Sequence, residues 1–86
     1  MTKRRPLHLL INLGPVTTAR LREVGIANET MLRRLGAIAA YRRVKHAFPK
    51  ETSLVLLYAL HGAITGTPWT ALPETVRAGL RRQAAD

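Results

Sequence analysis

Apolar residues recur at spacings of three and four along most of the chain, which is the spacing of one helix face. The clearest case is Ala37, Tyr41, Val44 and Phe48, with arginine, lysine and histidine between them. No segment alternates apolar and polar residues with a period of two, so no strand is predicted. The pattern predicts an all-α fold, a compact bundle of about five short helices.

Glycine and proline divide the first half of this pattern. Gly14 precedes Pro15, which suits a first helical turn, and we expect Gly14 to take a positive φ before a helix over about residues 15–24. Asn28 is predicted to cap the next helix, with Glu29 in its first turn, and glycines are expected to end helices at positions 25 and 36. The expected inward-facing residues of these two helices are Val16, Ala19, Leu21 and Val24, then Met31, Leu32 and Leu35.

The second half contains the most apolar segment. Residues from about 53 to 65 are apolar almost all round, which predicts a central helix capped by Thr52 or Ser53 and ended by Gly66. Trp69 follows in a turn and is expected to be buried between helices. The last helix is predicted to begin near residues 73–74 and to pack inward through Val76 and Leu80.

Length and composition fit one domain. The 86 residues are 47% hydrophobic, enough for one core, so we expect a single domain over residues 7–86 after a flexible basic tail at 1–6. The longest apolar run is too short to cross a membrane, and Pro6 interrupts the basic start, so neither a membrane segment nor a signal peptide is expected. Cysteine is absent, which fits a cytoplasmic location.

The charge is unusual. Fourteen Lys and Arg, eleven of them Arg, oppose five Asp and Glu, which gives a net charge of +9. Because Arg forms bidentate pairs with phosphate and carboxylate, this surplus indicates an anionic partner. The alternative is that the arginines only make the surface soluble.

The sequence contains few groups that could carry catalysis. The single serine, Ser53, occupies a helix-cap position, and the five acids are dispersed. His8, His46 and His61 do not have the spacing of metal ligands. No phosphate-binding or dinucleotide-binding glycine motif occurs. We therefore predict that the chain is not an enzyme and holds no metal or cofactor.

The sequence contains more groups that are suited to binding a phosphate. The turn at Asn12–Gly14 leads into a helix N-terminus, where free backbone N–H groups, hydroxyls and a following arginine could hold a phosphate. Two arginine pairs could extend that patch. The candidate residues are Asn12, Gly14, Val16, Thr17, Thr18, Arg20, Arg33, Arg34, Arg42 and Arg43. The alternative is a tight interhelical turn beside solvated helix faces.

Several apolar and glycine positions taken together resemble the C-terminal domain of the TfoX/Sxy family of bacterial competence regulators. The resemblance covers about residues 7–82. It rests on Leu10-x-Asn12-Leu13-Gly14-Pro15, Leu21-x-x-Val24-Gly25-Ile26, Leu32-x-x-Leu35-Gly36-Ala37-x-x-Ala40-Tyr41, and Leu54-x-x-Leu57-Tyr58-Ala59-Leu60-x-Gly62-Ala63-Ile64-x-Gly66-x-x-Trp69-x-x-Leu72-Pro73.

The resemblance implies a helical domain related to helix-hairpin-helix modules. It also implies that the domain helps switch on DNA-uptake genes, in the family alongside the cyclic-AMP receptor protein. Many members have a further N-terminal domain, for which we expect no room in this chain. Asn12 stands where a DNA-binding hairpin usually has its first glycine. Two functions follow as hypotheses: a regulatory domain that binds duplex DNA non-specifically through phosphates, or a module that docks its basic face on an acidic protein partner. Convergence of Arg20, Arg33 and Arg42 on the hairpin would favour DNA, whereas scattered arginines and an exposed apolar patch would favour a protein.

Overall fold

The computed structural model describes residues 5–85. Within that range the chain forms five α-helices and two short 3₁₀ turns, and the residues pair in no strand. The all-α prediction is confirmed. The helices are α1 (Pro15–Glu23), α2 (Glu29–Leu35), α3 (Ala37–Ala47), α4 (Leu54–Thr65) and α5 (Glu74–Ala85), and the 3₁₀ turns are Leu7–Leu9 and Trp69–Ala71.

The helix ends follow the local chemistry of the sequence. The side chain of Asn28 accepts a hydrogen bond from the Met31 amide at the start of α2, and that of Ser53 accepts one from the Val55 amide at the start of α4. A single residue, Gly36, joins α2 to α3 with φ 88° and ψ 160°, a conformation that is essentially restricted to glycine. The predicted caps and the predicted break at Gly36 are confirmed.

Helix α4 is the centre of the molecule, as its composition predicts. It contacts α2, α3, α5 and the second 3₁₀ turn. Leu57 and Leu60 on α4 are completely buried, and Tyr41 and Val44 on α3 belong to the same core. The face of α3 predicted from apolar spacing is therefore confirmed.

Helix α1 does not present the predicted face to the core. Thr18 and Leu21 are buried, whereas Val16 is 62% exposed and Ala19 is also exposed. Leu21 fixes the orientation of this short helix, and residues three apart share a face, so Thr18 is carried inward. In α2, Leu32 is buried but Met31 is 40% exposed. The inward assignments of Val16, Ala19 and Met31 were wrong.

The N-terminal segment is held to the start of α2. The Arg5 carbonyl accepts a hydrogen bond from the Glu29 amide at 3.0 Å, and Pro6 forms an isolated antiparallel bridge with Asn28. Leu7 is completely buried. Residues 1–4 of the predicted tail lie outside the described residues, so the tail stays a prediction there.

Trp69 is only half-buried. Its ring stacks on Tyr58 with centroids 6.3 Å apart and packs against the edge of the core. The prediction that Trp69 is buried was therefore wrong in extent, because one side of the ring borders an open cleft.

Candidate functional site

The side chain of Asn12 holds separate parts of the fold together through hydrogen bonds. Its side-chain amide nitrogen donates to the backbone carbonyls of Thr67 at 2.9 Å and Ala59 at 3.3 Å. Its side-chain amide oxygen accepts from the backbone N–H of Trp69 at 3.2 Å. Asn12 has φ 75°, a left-handed conformation that asparagine tolerates. The side chain therefore clamps the N-terminal segment to α4 and the second 3₁₀ turn, and its polar atoms are already engaged.

Gly14 does not have the geometry expected of a hairpin glycine. It caps α1 in an extended conformation with φ −87°, and a β-carbon placed there would meet nothing within 4 Å. The positive φ belongs to Asn12 instead. The prediction of a positive φ at Gly14 was wrong because the reversal of the chain occurs two residues earlier.

The start of α1 offers fewer free groups than expected. The Thr18 N–H donates to the Gly14 carbonyl at 2.9 Å, so it is not available to an anion. The Thr18 hydroxyl is buried and has no hydrogen-bond partner among the described residues. Val16 is exposed and Thr17 is half-buried. The amides of Val16 and Thr17 lack an acceptor within residues 5–85.

Arg20 lies beside the turn but is engaged by its neighbours. Its guanidinium sits 5.4 Å from the centre of the Phe48 ring, and one nitrogen lies 3.5 Å from the Glu51 carbonyl oxygen. Together with Asn12 and Thr17 it lines a cleft of about 210 Å³ between the starts of α1 and α4. Glu51 also lines this cleft, so the cleft is of mixed charge.

Arg20 also borders a second, shallower depression along α1. Its lining is mainly apolar and comprises Pro15, Val16, Ala19, Arg20, Glu23 and Phe48. The apolar residues that were expected to face the core thus form an exposed strip on the surface.

Arg33 is bound within the domain. Glu29 is buried and receives hydrogen bonds from the side chains of Arg33 at 2.9 Å and Arg5 at 2.8 Å. Hydrogen bonds from Arg5 and then Arg33 lower the pKa of the Glu29 carboxyl to about 2. Sequence reasoning assigned Glu29 only to the helix dipole. The spacing of four between Glu29 and Arg33 could have indicated this pair, but the contact with Arg5 crosses 24 positions.

Arg42 and Arg43 point to different parts of the molecule although they are adjacent in sequence. Arg42 donates to the Gln83 carbonyl at 2.7 Å near the end of α5. Arg43 donates to the Val24 carbonyl at 3.3 Å, just past the end of α1. Both therefore hold helix ends, where the dipole favours a cation. Arg20, Arg33 and Arg42 do not converge on the Asn12–Gly14 turn.

Arg34 and Arg43 are brought together on one surface. Both line an open groove of about 210 Å³, which we call the Arg34–Arg43 groove; its lining residues are Gly25, Ile26, Met31, Arg34, Leu35 and Arg43. Arg34 makes no ion pair or hydrogen bond within the described part of the chain. Sequence reasoning identified the two arginines but missed Met31 between them. The spacing of three between Met31 and Arg34 on α2 was the available signal.

The described residues contain no cluster suited to metal binding. Within residues 5–85, no three His, Asp or Glu side chains lie close enough together to hold a metal ion. None of the described helices is long and apolar enough to cross a membrane.

The chain is similar to proteins of known family. Residues 3–84 match the family model described as the TfoX C-terminal domain. Over 79 residues the chain is 25% identical to DNA transformation protein TfoX1 of Aliivibrio fischeri, a match that covers 92% of this chain and 38% of that protein. The chain therefore spans well under two thirds of the length of this curated relative.

Two crystal structures of Listeria monocytogenes proteins share the fold. A triclinic form of an uncharacterised protein has a TM-score of 0.83 and 30% identity, covering 88% of this chain and 85% of that one. A tetragonal form of a protein of unknown function has a TM-score of 0.84 and 29% identity, covering 92% and 95%. These similarities show the fold and leave the function to be argued from the surface.

Proposed function

We propose that this chain, which belongs to the TfoX C-terminal domain family, is a non-enzymatic domain that regulates DNA transformation through a protein partner in the cytoplasm. The family membership supports a role in competence, since the curated relative is named a DNA transformation protein. The partner is a component of transcription that presents an acidic surface. The relative is much longer than this chain, so its whole activity is not carried over.

The dispersal of the predicted phosphate-binding residues is the observation that carries the choice of a protein partner. Asn12 is engaged in the fold, Arg33 is paired with Glu29, and Arg42 holds the end of α5. A phosphate backbone is gripped by cations that converge along one track. The surface instead exposes large apolar side chains, with Val16 at 62% and Met31 at 40% exposure. Exposed apolar patches rimmed by polar groups are typical of protein interaction sites.

Duplex DNA is the second candidate, and one observation favours it. Arg22, Arg34 and Arg82 are exposed and make no ion pair or hydrogen bond within residues 5–85. With a net charge of +9 they would attract any polyanion. Such contacts carry no base identity, so binding would be non-specific, with a dissociation constant of about 10⁻⁴–10⁻⁶ M at physiological salt.

The role in competence is tested by deleting the gene and measuring the frequency of transformation with marked DNA. We expect the frequency to fall at least tenfold and to be restored by the wild-type gene. An unchanged frequency would overturn the proposed role.

The choice between partners is tested by titrating fluorescent duplex DNA at two salt concentrations, beside heparin. We expect duplex affinity no higher than that for heparin. A plot of log affinity against log salt concentration should have a slope of roughly −3 to −4, because three or four phosphate contacts would each release about 0.9 counterion. Duplex binding tenfold tighter than heparin binding would favour DNA over the protein partner.

A further inference from the structure

We infer that the Arg34–Arg43 groove is a docking site for an acidic, amphipathic helical segment of a partner protein. The inference deepens the proposed function and rests on it, because it names the surface and the chemistry of the partner. It differs from the phosphate-binding assignment of the same arginines, since the occupant inserts an apolar side chain between them.

The groove has an apolar floor and cationic walls. Ile26 is 1% exposed and Leu35 is half-buried, and together they form a preformed base. Met31 is 40% exposed, and its unbranched thioether can adapt to a partner side chain. The volume of about 210 Å³ is below the roughly 300–1,000 Å³ of small-molecule pockets. It suits one or two apolar side chains.

Charge complementarity identifies the occupant. Arg34 and Arg43 line the groove, and no carboxylate is among its lining residues. The two other depressions differ, because Glu51 lines the cleft and Glu23 lines the strip along α1. Of these three depressions, the Arg34–Arg43 groove is the one that presents arginines without a carboxylate-bearing residue in its lining, so it offers carboxylates on a partner an unopposed pair of cations.

The arginines are also placed for this task. The Arg43 guanidinium donates to the Val24 carbonyl, which fixes its position at one wall while its charge remains uncompensated. Arg34 is exposed at the other wall and lacks a partner among the described residues. A helix laid in the groove would insert an apolar residue over Met31 and direct acids one turn away toward the two guanidiniums, as in other helix-in-groove complexes.

A second copy of this chain is a poor occupant. Two chains of charge +9 repel one another, and the groove itself is positive. A phosphate backbone suits it less well than an acidic helix does, because the phosphate oxygens that would contact the arginines give no apolar cover to Met31 and Leu35.

The test uses a short fluorescent helical peptide with leucines flanked by glutamates one turn away, and a control peptide with glutamine at every glutamate position. Binding to the full chain is measured by anisotropy at physiological salt, and the contact surface by amide chemical shifts. We expect the acidic peptide to bind at least fivefold tighter than the control peptide and to shift amides around residues 25–26 and 31–35. No binding, or shifts centred on α1 or spread evenly, would overturn the inference.

Matched variants separate a specific groove from general charge. Each exposed ion pair changes affinity by roughly 1.4- to 5-fold, so Arg34→Ala with Arg43→Ala should weaken peptide binding about fivefold. Arg22→Ala with Arg82→Ala removes the same charge from two arginines that do not line the groove and should weaken peptide binding less than twofold. Met31→Asp keeps both arginines and should reduce binding at least fivefold. Equal losses in the two arginine double variants would refute the groove.

The two proposals fail in different ways. An unchanged transformation frequency after gene deletion refutes the role in competence but leaves peptide binding intact. If gene deletion lowers the transformation frequency as expected but the Met31→Asp variant transforms fully, the groove is refuted and the role in competence stands. Thermal unfolding of each variant excludes loss of the fold as the cause.

Discussion

The substitution Gly62→Ala should destabilise the domain although it places a better helix former in the last turn of α4. A β-carbon at position 62 would lie closer than 3.0 Å to both the Thr67 carbonyl oxygen and the Asn12 amide nitrogen. The same two atoms form the 2.9 Å hydrogen bond of the Asn12 clamp. The methyl group must therefore push the turn after α4 away and pull the clamp apart.

The magnitude follows from three contributions. Replacing glycine by alanine inside a helix gains about 1 kcal/mol. Overpacking at a tight contact costs roughly 1–3 kcal/mol, and leaving half-buried polar groups of the clamp unpaired costs roughly 1–3 kcal/mol more. We expect a net loss of about 3 kcal/mol in the free energy of unfolding, which lowers the melting temperature by roughly 10–20 °C in a domain of this size.

Gly79→Ala is the matched control. Gly79 lies inside α5, and its added β-carbon would come no closer than 3.9 Å to the end of the Arg82 side chain. The same substitution should therefore keep the helix gain and raise stability by up to about 1 kcal/mol. Both variants are measured by urea and thermal denaturation followed by circular dichroism. If Gly62→Ala is as stable as Gly79→Ala, the close approach at Gly62 is not a constraint on the fold and the reasoning fails.

Three further outcomes test other contacts. Because the folded pKa of Glu29 is about 2, below its ordinary value of 4.5, its stabilising contribution is present above pH 4.5 and is lost as the pH falls toward 2. In urea denaturation, the free energy of unfolding should fall more steeply with acid for wild type than for Glu29→Gln, which should be less stable by about 1–3 kcal/mol at pH 7. Glu74→Gln, which removes an exposed carboxylate, is the control. Parallel pH curves for wild type and Glu29→Gln would contradict the assignment. Gly14→Ala should change stability by less than about 0.5 kcal/mol, whereas Gly36→Ala should cost about 1–3 kcal/mol, and the opposite order in thermal melts would contradict the backbone geometry. Trp69→Ala should cost about 2 kcal/mol, less than the roughly 3–5 of a fully buried aromatic, and a native emission spectrum typical of a buried indole would contradict its half-exposed position.

Local chemistry made most of the fold predictable. Helix caps at Asn28 and Ser53, the break at Gly36 and the apolar composition of α4 act within a few residues of one another, so the sequence shows them directly. The orientation of α1 was not predictable in this way. Its apolar residues lie around more than one face, and Leu21 packs against elements that are distant in sequence.

The candidate site was predicted less well than the fold. The sequence identified the arginines, but their partners are remote: Arg42 reaches a carbonyl 41 positions away, and Arg5 reaches an acid 24 positions away. Asn12 was taken as a phosphate ligand because a turn before a helix is a common anion site. Its actual partners, the carbonyls of Ala59 and Thr67, become neighbours only when α4 has packed against the N-terminal segment.

The contacts of the arginines separate two properties of the surface: its long-range positive field, and the number of guanidiniums that are free to bind a ligand directly. Carboxylates offset part of the charge, as Glu29 does for Arg5 and Arg33, which share its single negative charge. Arg43 instead donates to a neutral carbonyl, which holds the side chain but leaves its charge in place. The domain therefore keeps a long-range positive field while few of its guanidiniums remain free to grip a ligand with both nitrogens. Such a field accelerates the encounter with an acidic partner, whereas the lifetime of the complex depends on short-range apolar contact. The Arg34–Arg43 groove combines the two, because its arginines contribute to the field and Met31 offers apolar contact. We therefore expect recognition to depend on the groove rather than on the total charge.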